Sequence, residues 1–224
     1  MAASLDHTAP KRTFSARLAL APRVTGTLAP RLVTGLAILL LWEGIVRGFA
    51  PAYVAKPSGV LLAIPRVFAS PALWSATGNT LAAVAQGLAI AIVVGTLLGL
   101  LIGRSTVADR MLRHYVNGLY AVPMIVVLPL VSLWFGYTGG ARLATIVFAS
   151  LFSIIINVGD GARAVPREYL EVGRSFRSPR WRMLFEVVLP SSLPYLLAGL
   201  RLASGRALIA AVVAEFFTAI NGLG

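Results

Sequence analysis

Long apolar runs separated by short arginine-bearing connections make up most of this chain. A helix needs about 20 apolar residues to cross the hydrocarbon core of a bilayer, and five segments reach or approach that length. They cover residues 32–50, 80–103, 118–136, 143–159 and 193–220. The pattern predicts an all-α integral membrane protein with five transmembrane helices in this chain. The third segment contains Pro123 and Pro129, which we expect to kink its helix.

The basic residues are distributed unequally between the two sets of connections. Five precede the first span, three lie between the second and third spans, and six lie between the fourth and fifth. The opposite connections hold four at most, including Arg142. Because cytoplasmic segments carry the excess of Lys and Arg, the sequence predicts a multi-pass protein of the inner (plasma) membrane with a cytoplasmic amino terminus.

Residues 1–30 are polar, basic and rich in Pro, Ala and Thr. This composition predicts a disordered cytoplasmic tail, followed by a transmembrane domain over 31–224. A cleaved signal peptide is the alternative, but the apolar run that follows is longer than such peptides carry. The net charge of +12 would suit nucleic acid, yet the arginines form no continuous stripe, so the expected partner is the lipid bilayer and not nucleic acid.

Composition limits the chemistry that this chain can perform. Hydrophobic residues make up 58% and charged residues 12% of the 224 positions, and cysteine is absent. The sequence therefore predicts no disulfide, no thiol nucleophile, no metal site, no cofactor and no catalytic residue. Neither Lys11 nor Lys56 follows a glycine, so no phosphate-binding loop occurs. If the protein uses ATP, another chain must bind it.

Small and polar residues inside the spans predict how the helices pack. Glycines recur at four-residue spacing in the second span, which favours close contact with a neighbouring helix: Gly87, Gly95, Gly99 and Gly103. Glu43 and Arg47 are one helical turn apart and are expected to pair. The other candidates for a solute pathway or for interhelical hydrogen bonds are Gln86, Asn117, Asn157 and Glu215.

The connection from 160 to 192 predicts two short amphipathic helices on the cytoplasmic side. The first begins at Pro166, with Glu168 in its first turn, and ends at Ser178-Pro179. The second continues to Leu189-Pro190, where we expect it to break. Helical spacing places apolar residues on one face of each, namely Tyr169, Val172, Gly173 and Phe176, then Trp181, Leu184, Phe185 and Val188. Periodicity alone leaves two alternatives open, a hairpin resting on lipid headgroups and a docking surface for a cytoplasmic partner.

Residues 171–177, read as Glu-Val-Gly-Arg-Ser-Phe-Arg, are followed by Trp181 and by Leu189-Pro190. This run resembles the coupling loop of binding-protein-dependent ABC importer permeases. The chain from 32 to 224 is similar to the branch that imports aliphatic sulfonates, taurine and nitrate. The other matching pieces lie in order at 41–43, 57–58, 129–130, 133–136, 198–201 and 213–215.

The resemblance implies a permease subunit without its own ATPase site. Its expected partners are a cytoplasmic ABC ATPase subunit, a second permease subunit in a homodimer, and an extracytoplasmic substrate-binding protein. The residues implied in ATPase coupling are Tyr169, Glu171, Val172, Gly173, Arg174, Phe176, Arg177, Trp181, Leu189 and Pro190.

Two departures from the family pattern lead to further expectations. Arg177 stands where the family has a glycine, which predicts a positive φ that a side chain adopts only at a cost. Family members also have a sixth span, so the chain is expected to be truncated before it.

The alternative functions are an ion-gradient-driven secondary transporter, a truncated non-transporting membrane scaffold, and a membrane-embedded enzyme, for which no pair of catalytic groups converges.

Overall fold

A computed structural model describes residues 28–49, 51 and 53–224. Most of the predicted disordered tail, residues 1–27, therefore lies outside the described residues. Within the described part every regular element is helical and no strand occurs. The chain divides into two units, the first ending at Val67 and the second beginning at Phe68.

The first unit contains α1 (Leu28–Phe49) and most of α2 (Pro57–Ala69). α1 begins four residues before the predicted span and is long and apolar enough to cross a membrane. α2, with 13 residues, is too short to cross. Its apolar residues therefore belong to a helix that the sequence analysis did not predict.

The second unit contains the remaining helices. They are α3 (Pro71–Arg104), α4 (Thr106–Ala121), α5 (Met124–Phe135), α6 (Gly139–Arg163), α7 (Arg167–Ser175), α8 (Arg180–Arg182), a π-helical turn (Met183–Val188) and α9 (Leu189–Thr218). Over the described residues, four helical stretches are long and apolar enough to cross a membrane, or five if α4 and α5 cross as one bent pair.

α3 and α6 run parallel in close contact along the predicted glycine stripe. A Cβ built on Gly87 would meet Ile146, and one built on Gly99 would lie 2.8 Å from Cβ of Val158. Both residue numbers increase together along the contact, which fixes the parallel direction. The expectation that the second span packs closely against a neighbour is confirmed, and the neighbour is α6.

α9 packs antiparallel to α6 through an alanine-rich face. Gly161 lies against Tyr195 near one end of this contact, and Gly199 lies against Asn157 further along. Five of the fully buried positions of α9 are alanines, so the two backbones approach closely. They are Ala203, Ala207, Ala210, Ala211 and Ala214.

α4 and α5 together follow α6 from one end to the other. Asp109 of α4 pairs with Arg163 at the end of α6, and Val127 and Val131 of α5 pack with Ala141 at its beginning. The two helices are bent by 102° at Val122-Pro123. The second unit thus has two ends. One holds Arg104, Arg163 and the 160–192 connection, which we call the coupling loop after the family loop that it resembles, and this end is named the coupling-loop end. The far end holds Thr80, Arg142 and Glu215.

Two predictions about helix breaks are wrong. Residues 118–136 do not form one kinked helix, because the chain breaks completely at Pro123 while Pro129 stays inside α5. Leu189-Pro190 does not end a helix, since the chain is helical from Arg180 to Thr218. The wider π-turn lets the Leu189 N–H donate to the carbonyl of Leu184, and a widened turn of this kind accommodates Pro190, which has no N–H to donate.

Candidate functional site

One buried side chain of α7 packs against the rest of the second unit. Leu170 packs in a cluster with Val158 of α6, Val165 and Val188. The helix begins at Arg167, so Pro166 is the residue just before it and not, as was predicted, its first helical residue. Glu168 lies in the first turn, as predicted. Because Leu170 contacts both α6 and the beginning of the 180–218 helix, α7 is connected mechanically to two of the long helices.

The predicted apolar face of α7 is exposed. Tyr169, Val172 and Phe176 have 58%, 55% and 79% of their surface accessible. Three large apolar side chains within about two helical turns form an uncovered patch of the kind found at protein interfaces. Glu168 and Glu171 lie on the same helix, and neither carboxylate forms an ion pair with a described residue.

α7 ends in a Schellman turn that has arginine at its left-handed position. Arg177 has φ +52°, as the departure from the family glycine predicted. Its N–H donates to the carbonyl of Arg174 at 2.8 Å, and the N–H of Ser178 donates to that of Gly173 at 3.0 Å. These two hydrogen bonds define the motif. Gly173 also contacts the end of the Met183 side chain, which joins α7 to the π-turn.

The second half of the coupling loop presents arginines and aromatic residues. Trp181 is exposed, Leu189 packs partly into the core, and Pro190 is exposed. A cleft of about 720 Å³ opens between this segment and the end of α3, and four arginines line it, namely Arg104, Arg174, Arg177 and Arg180. The cleft is strongly basic.

An ionic cluster ties α4 to α6 at the coupling-loop end. Arg163 donates to Asp109 at 2.6 Å and to Asp160 at 2.8 Å. Asp109 also pairs with Arg113 of its own helix at 2.8 Å. Because one carboxylate is shared between two helices, the cluster fixes the end of α6 just before the coupling loop begins.

In the first unit, Glu43 links two segments that the sequence analysis treated separately. It pairs with Arg47 at 2.6 Å, as predicted. It also accepts hydrogen bonds from the backbone N–H of Ser58 at 3.0 Å and from the Ser58 hydroxyl at 2.7 Å. The carboxylate thus caps the beginning of α2, where a negative charge is favourable.

Glu215 is buried at the far end of the second unit, within a polar network between three helices. Its carboxylate pairs with Arg142 of α6 at 3.0 Å and accepts a hydrogen bond from the Thr80 hydroxyl of α3 at 2.8 Å. The N–H of Gly224 donates to it at 3.2 Å. The sequence indicated that Glu215 needed a partner but did not identify Arg142, which was assigned to a connection, or Thr80, which had no distinguishing pattern.

The remaining polar candidates are not brought together. Gln86 and Asn117 are exposed on α3 and α4, and neither side chain forms a hydrogen bond with another described residue. Asn157 is half-buried and donates to the Ser153 carbonyl of its own helix at 2.8 Å. The described residues contain no group of three or more His, Cys, Asp or Glu side chains that could hold a metal ion.

Comparison with known proteins identifies the membrane domain. Residues 91–224, which include the second part of α3, all of α6 and α9 and the 160–192 connection, match the family described as binding-protein-dependent transport system inner membrane component. The chain belongs to this family. It is a permease component of a transport system and not an enzyme.

Three curated relatives are named as transport permeases for three different solutes. It is 31% identical to the formylaminopyrimidine transport permease of Halalkalibacterium halodurans over 84% of this chain and 76% of that protein. It is 27% identical to a putative aliphatic sulfonates transport permease of Bacillus subtilis, over 89% and 71%. It is 33% identical to the nitrate import permease of Leptolyngbya laminosa, over 63% and 50%.

Proposed function

We propose that this permease is the transmembrane subunit of an ATP-driven importer and that it moves a small solute into the cytoplasm with energy from a separate ATPase subunit. A sulfonate, taurine, nitrate or a similar small molecule is the expected solute, as in the branch that the sequence resembles. Membership of the family and the names of the relatives support the assignment as a permease subunit of an importer. The uncovered apolar face of α7 is the observation that carries the docking proposal.

The ATPase subunit docks on the coupling loop in this proposal. Tyr169, Val172 and Phe176 are the apolar anchors, and Glu171 supplies a polar contact. The residues around them, Gly173, Arg174, Arg177, Trp181, Leu189 and Pro190, shape the turn and the basic surface beside it. Since interface cores combine apolar anchors with arginine, this composition suits a protein partner better than lipid headgroups.

Movement of the ATPase subunits would reach the membrane through rigid contacts. Leu170 joins α7 to Val158 of α6 and to Val188 at the beginning of α9. The 180–218 helix is continuous, so displacement of its first turns is carried along its length. ATP binding switches the pathway from one side of the membrane to the other only if ATP binds more tightly to one of two conformations. In this proposal the packing of α6 against α9 differs between those conformations.

We further propose five membrane crossings with the amino terminus and the coupling loop in the cytoplasm. α4 and α5 would form one broken crossing, because α3 and α6 are parallel and the chain between them must return to the far end. The coupling-loop end contains most of the arginines of the second unit, which supports its cytoplasmic position.

A second permease subunit, as a homodimer, and a substrate-binding protein outside the cell complete the proposed assembly. Gln86 and Asn117 support a partner within the membrane, because an exposed amide is costly in contact with lipid. We place these side chains against the second subunit or along the solute pathway between the two subunits.

Co-purification tests the docking site. Phe176→Ala should weaken retention of the ATPase subunit about 10- to 100-fold, since burying one such anchor contributes about 1.5–3 kcal/mol. Glu171→Lys should abolish ATP-dependent uptake without affecting membrane insertion.

The matched control is Phe216→Ala, because Phe216 is 78% exposed but lies near the far end. This variant should retain the ATPase subunit. Equal retention by the Phe176 and Phe216 variants, or unchanged uptake by the Glu171 variant, would refute the docking proposal.

A further inference from the structure

Arg206 is a charged side chain near the middle of a membrane-crossing helix. It lies on α9, is half-buried, and forms no ion pair with any residue that the structure describes. Its guanidinium carbon lies 3.9 Å from the centre of the Tyr120 ring. A charge at membrane depth is costly and marks a functional position by default, and the contact with the ring only partly compensates for it.

The Arg206 side chain lines a cleft of about 460 Å³ at the break between α4 and α5. The other walls are predominantly apolar or aromatic and include Tyr120, Pro123, Met124, Phe148, Phe152 and Ile209. This combination of an apolar wall with one positioned charge is characteristic of sites for small organic ligands.

The charge of the cleft determines which ligands it suits. Its lining contains no carboxylate, so the guanidinium has no anionic neighbour there. The aromatic ring accepts a cation but leaves the N–H donors of the guanidinium available, and a planar guanidinium pairs with the oxygens of an anion by two parallel hydrogen bonds. A neutral ligand would leave this half-buried charge unpaired.

The apolar walls restrict the anion further. A small inorganic anion would lose its hydration shell and gain only one charged contact, whereas a short hydrocarbon or flat body would be stabilised by the walls. The break at Pro123 adds a polar feature, because the first two N–H groups of α5 have no partner within their helix, whereas that of Val126 donates to the Pro123 carbonyl at 3.0 Å. The volume and the charge together favour one organic anion with a single negative group.

We propose that the cleft around Arg206 and Tyr120 is a binding site for an organic monoanion, with Arg206 holding the charged group and Met124, Phe148 and Ile209 holding the body. As the solute site of the permease, it rests on the proposed importer function. As a binding site, it depends only on the geometry of α4, α5, α6 and α9. Neutral heterocycles and inorganic anions such as nitrate are the solutes that this site disfavours.

The test uses the full chain in nanodiscs of zwitterionic phosphatidylcholine, so that no anionic lipid competes. Binding of propane-1-sulfonate is compared with that of uncharged 1-propanol and of nitrate by titration calorimetry. Wild type should bind the sulfonate at least tenfold more tightly than either comparison ligand. Arg206→Gln should lose at least tenfold in sulfonate affinity, and Arg206→Lys should lose less. Added phosphatidylglycerol should not abolish sulfonate binding; if it does, the site belongs to a lipid headgroup and the proposal fails.

Two further variants guard against a general loss of structure. Arg201→Gln removes a charge from the same helix outside the cleft and should leave sulfonate affinity unchanged. Ile209→Trp fills the cleft while keeping Arg206, and should weaken binding at least tenfold. The proposal is overturned if wild type does not bind the sulfonate, if 1-propanol or nitrate binds as tightly, or if the Arg201 and Arg206 variants behave alike.

The same samples separate this inference from the proposed importer function. Arg206→Gln should still co-purify with the ATPase subunit, whereas Phe176→Ala should lose that subunit and retain sulfonate binding. If wild type holds the ATPase subunit but shows no preference for the sulfonate, the importer assignment stands and the anion site is refuted.

Discussion

The hydroxyl of Thr80 lies 2.8 and 2.9 Å from the two carboxylate oxygens of Glu215, although 135 positions separate the residues in sequence. Arg142 completes the contact from a third helix at 3.0 Å. The far ends of α3, α6 and α9 are thus joined through one buried acid. Because the carboxylate side chain is fully inaccessible, each of these partners compensates for the cost of burying its charge.

Removal of the Thr80 hydroxyl should therefore destabilise the helix bundle. Thr80→Val removes one of the three donors to the Glu215 carboxylate, beside Arg142 and the Gly224 N–H, and should lower the free energy of unfolding by about 1–3 kcal/mol. Glu215→Ala, which leaves Arg142 partly buried without its counterion, should cost about 3–5 kcal/mol. Chemical unfolding in detergent measures both changes.

The control is Thr77→Val, one turn earlier on α3. The Thr77 hydroxyl donates to the Leu73 carbonyl of its own helix at 2.7 Å and forms no hydrogen bond with another described helix. Its loss should be nearly neutral. If the Thr77 and Thr80 variants unfold together, the interhelical hydrogen bond does not stabilise the bundle.

A side chain added at Gly99 should separate α3 from α6. Its Cβ would lie 2.8 Å from Cβ of Val158 and 2.9 Å from the backbone oxygen of Ile155. A backbone atom cannot rotate away, so Gly99→Ala should lower the free energy of unfolding by about 1–3 kcal/mol. Gly78→Ala on the same helix has nothing within 4 Å and should be neutral or stabilising by up to about 1 kcal/mol. Equal denaturation midpoints for the two variants would disprove the close packing.

Glycine should be the better residue at position 177. Arg177 has φ +52°, a conformation that costs a non-glycine residue about 1–2 kcal/mol. Arg177→Gly should slow hydrogen exchange of the Ser178 amide, which closes the Schellman turn. We expect a roughly fivefold to tenfold change for about 1 kcal/mol of added stability.

Arg174→Gly is the comparison for that experiment. Arg174 lies within α7, where glycine costs about 1 kcal/mol, so exchange at Ser178 should become faster. Faster exchange in the Arg177 variant as well would show that the turn depends on the arginine side chain and not on its backbone.

The elements that could be predicted are those controlled by near neighbours in sequence. The spacing of Gly95 and Gly99 predicted a packing face, and the helical spacing of Tyr169, Val172 and Phe176 predicted the apolar face of α7. The pair of Glu43 and Arg47 was predicted because residues one turn apart on a helix necessarily meet.

The failures concern breaks in helices. A proline in the sequence shows that one backbone N–H is missing. It does not show whether the surrounding helix can adjust to that loss or must break. At Pro123 the chain broke, with a bend of 102°. At Pro190 it remained helical, because the preceding π-turn widens the helix and accommodates a residue without an N–H.

The sequence by itself determined that this protein lies in a membrane, that it is helical, and that one helix has a packing face of small residues. It also determined the amphipathic helix that we propose couples the protein to an ATPase. All of these follow from composition and from periodicities within one or two turns. Only the tertiary structure decided that Glu215 meets Thr80 and Arg142, that Glu43 caps α2, and that Arg206 lines a cleft beside Tyr120. The reason is that a buried charge requires a partner, while the identity of that partner depends on which helices pack together and at what rotation.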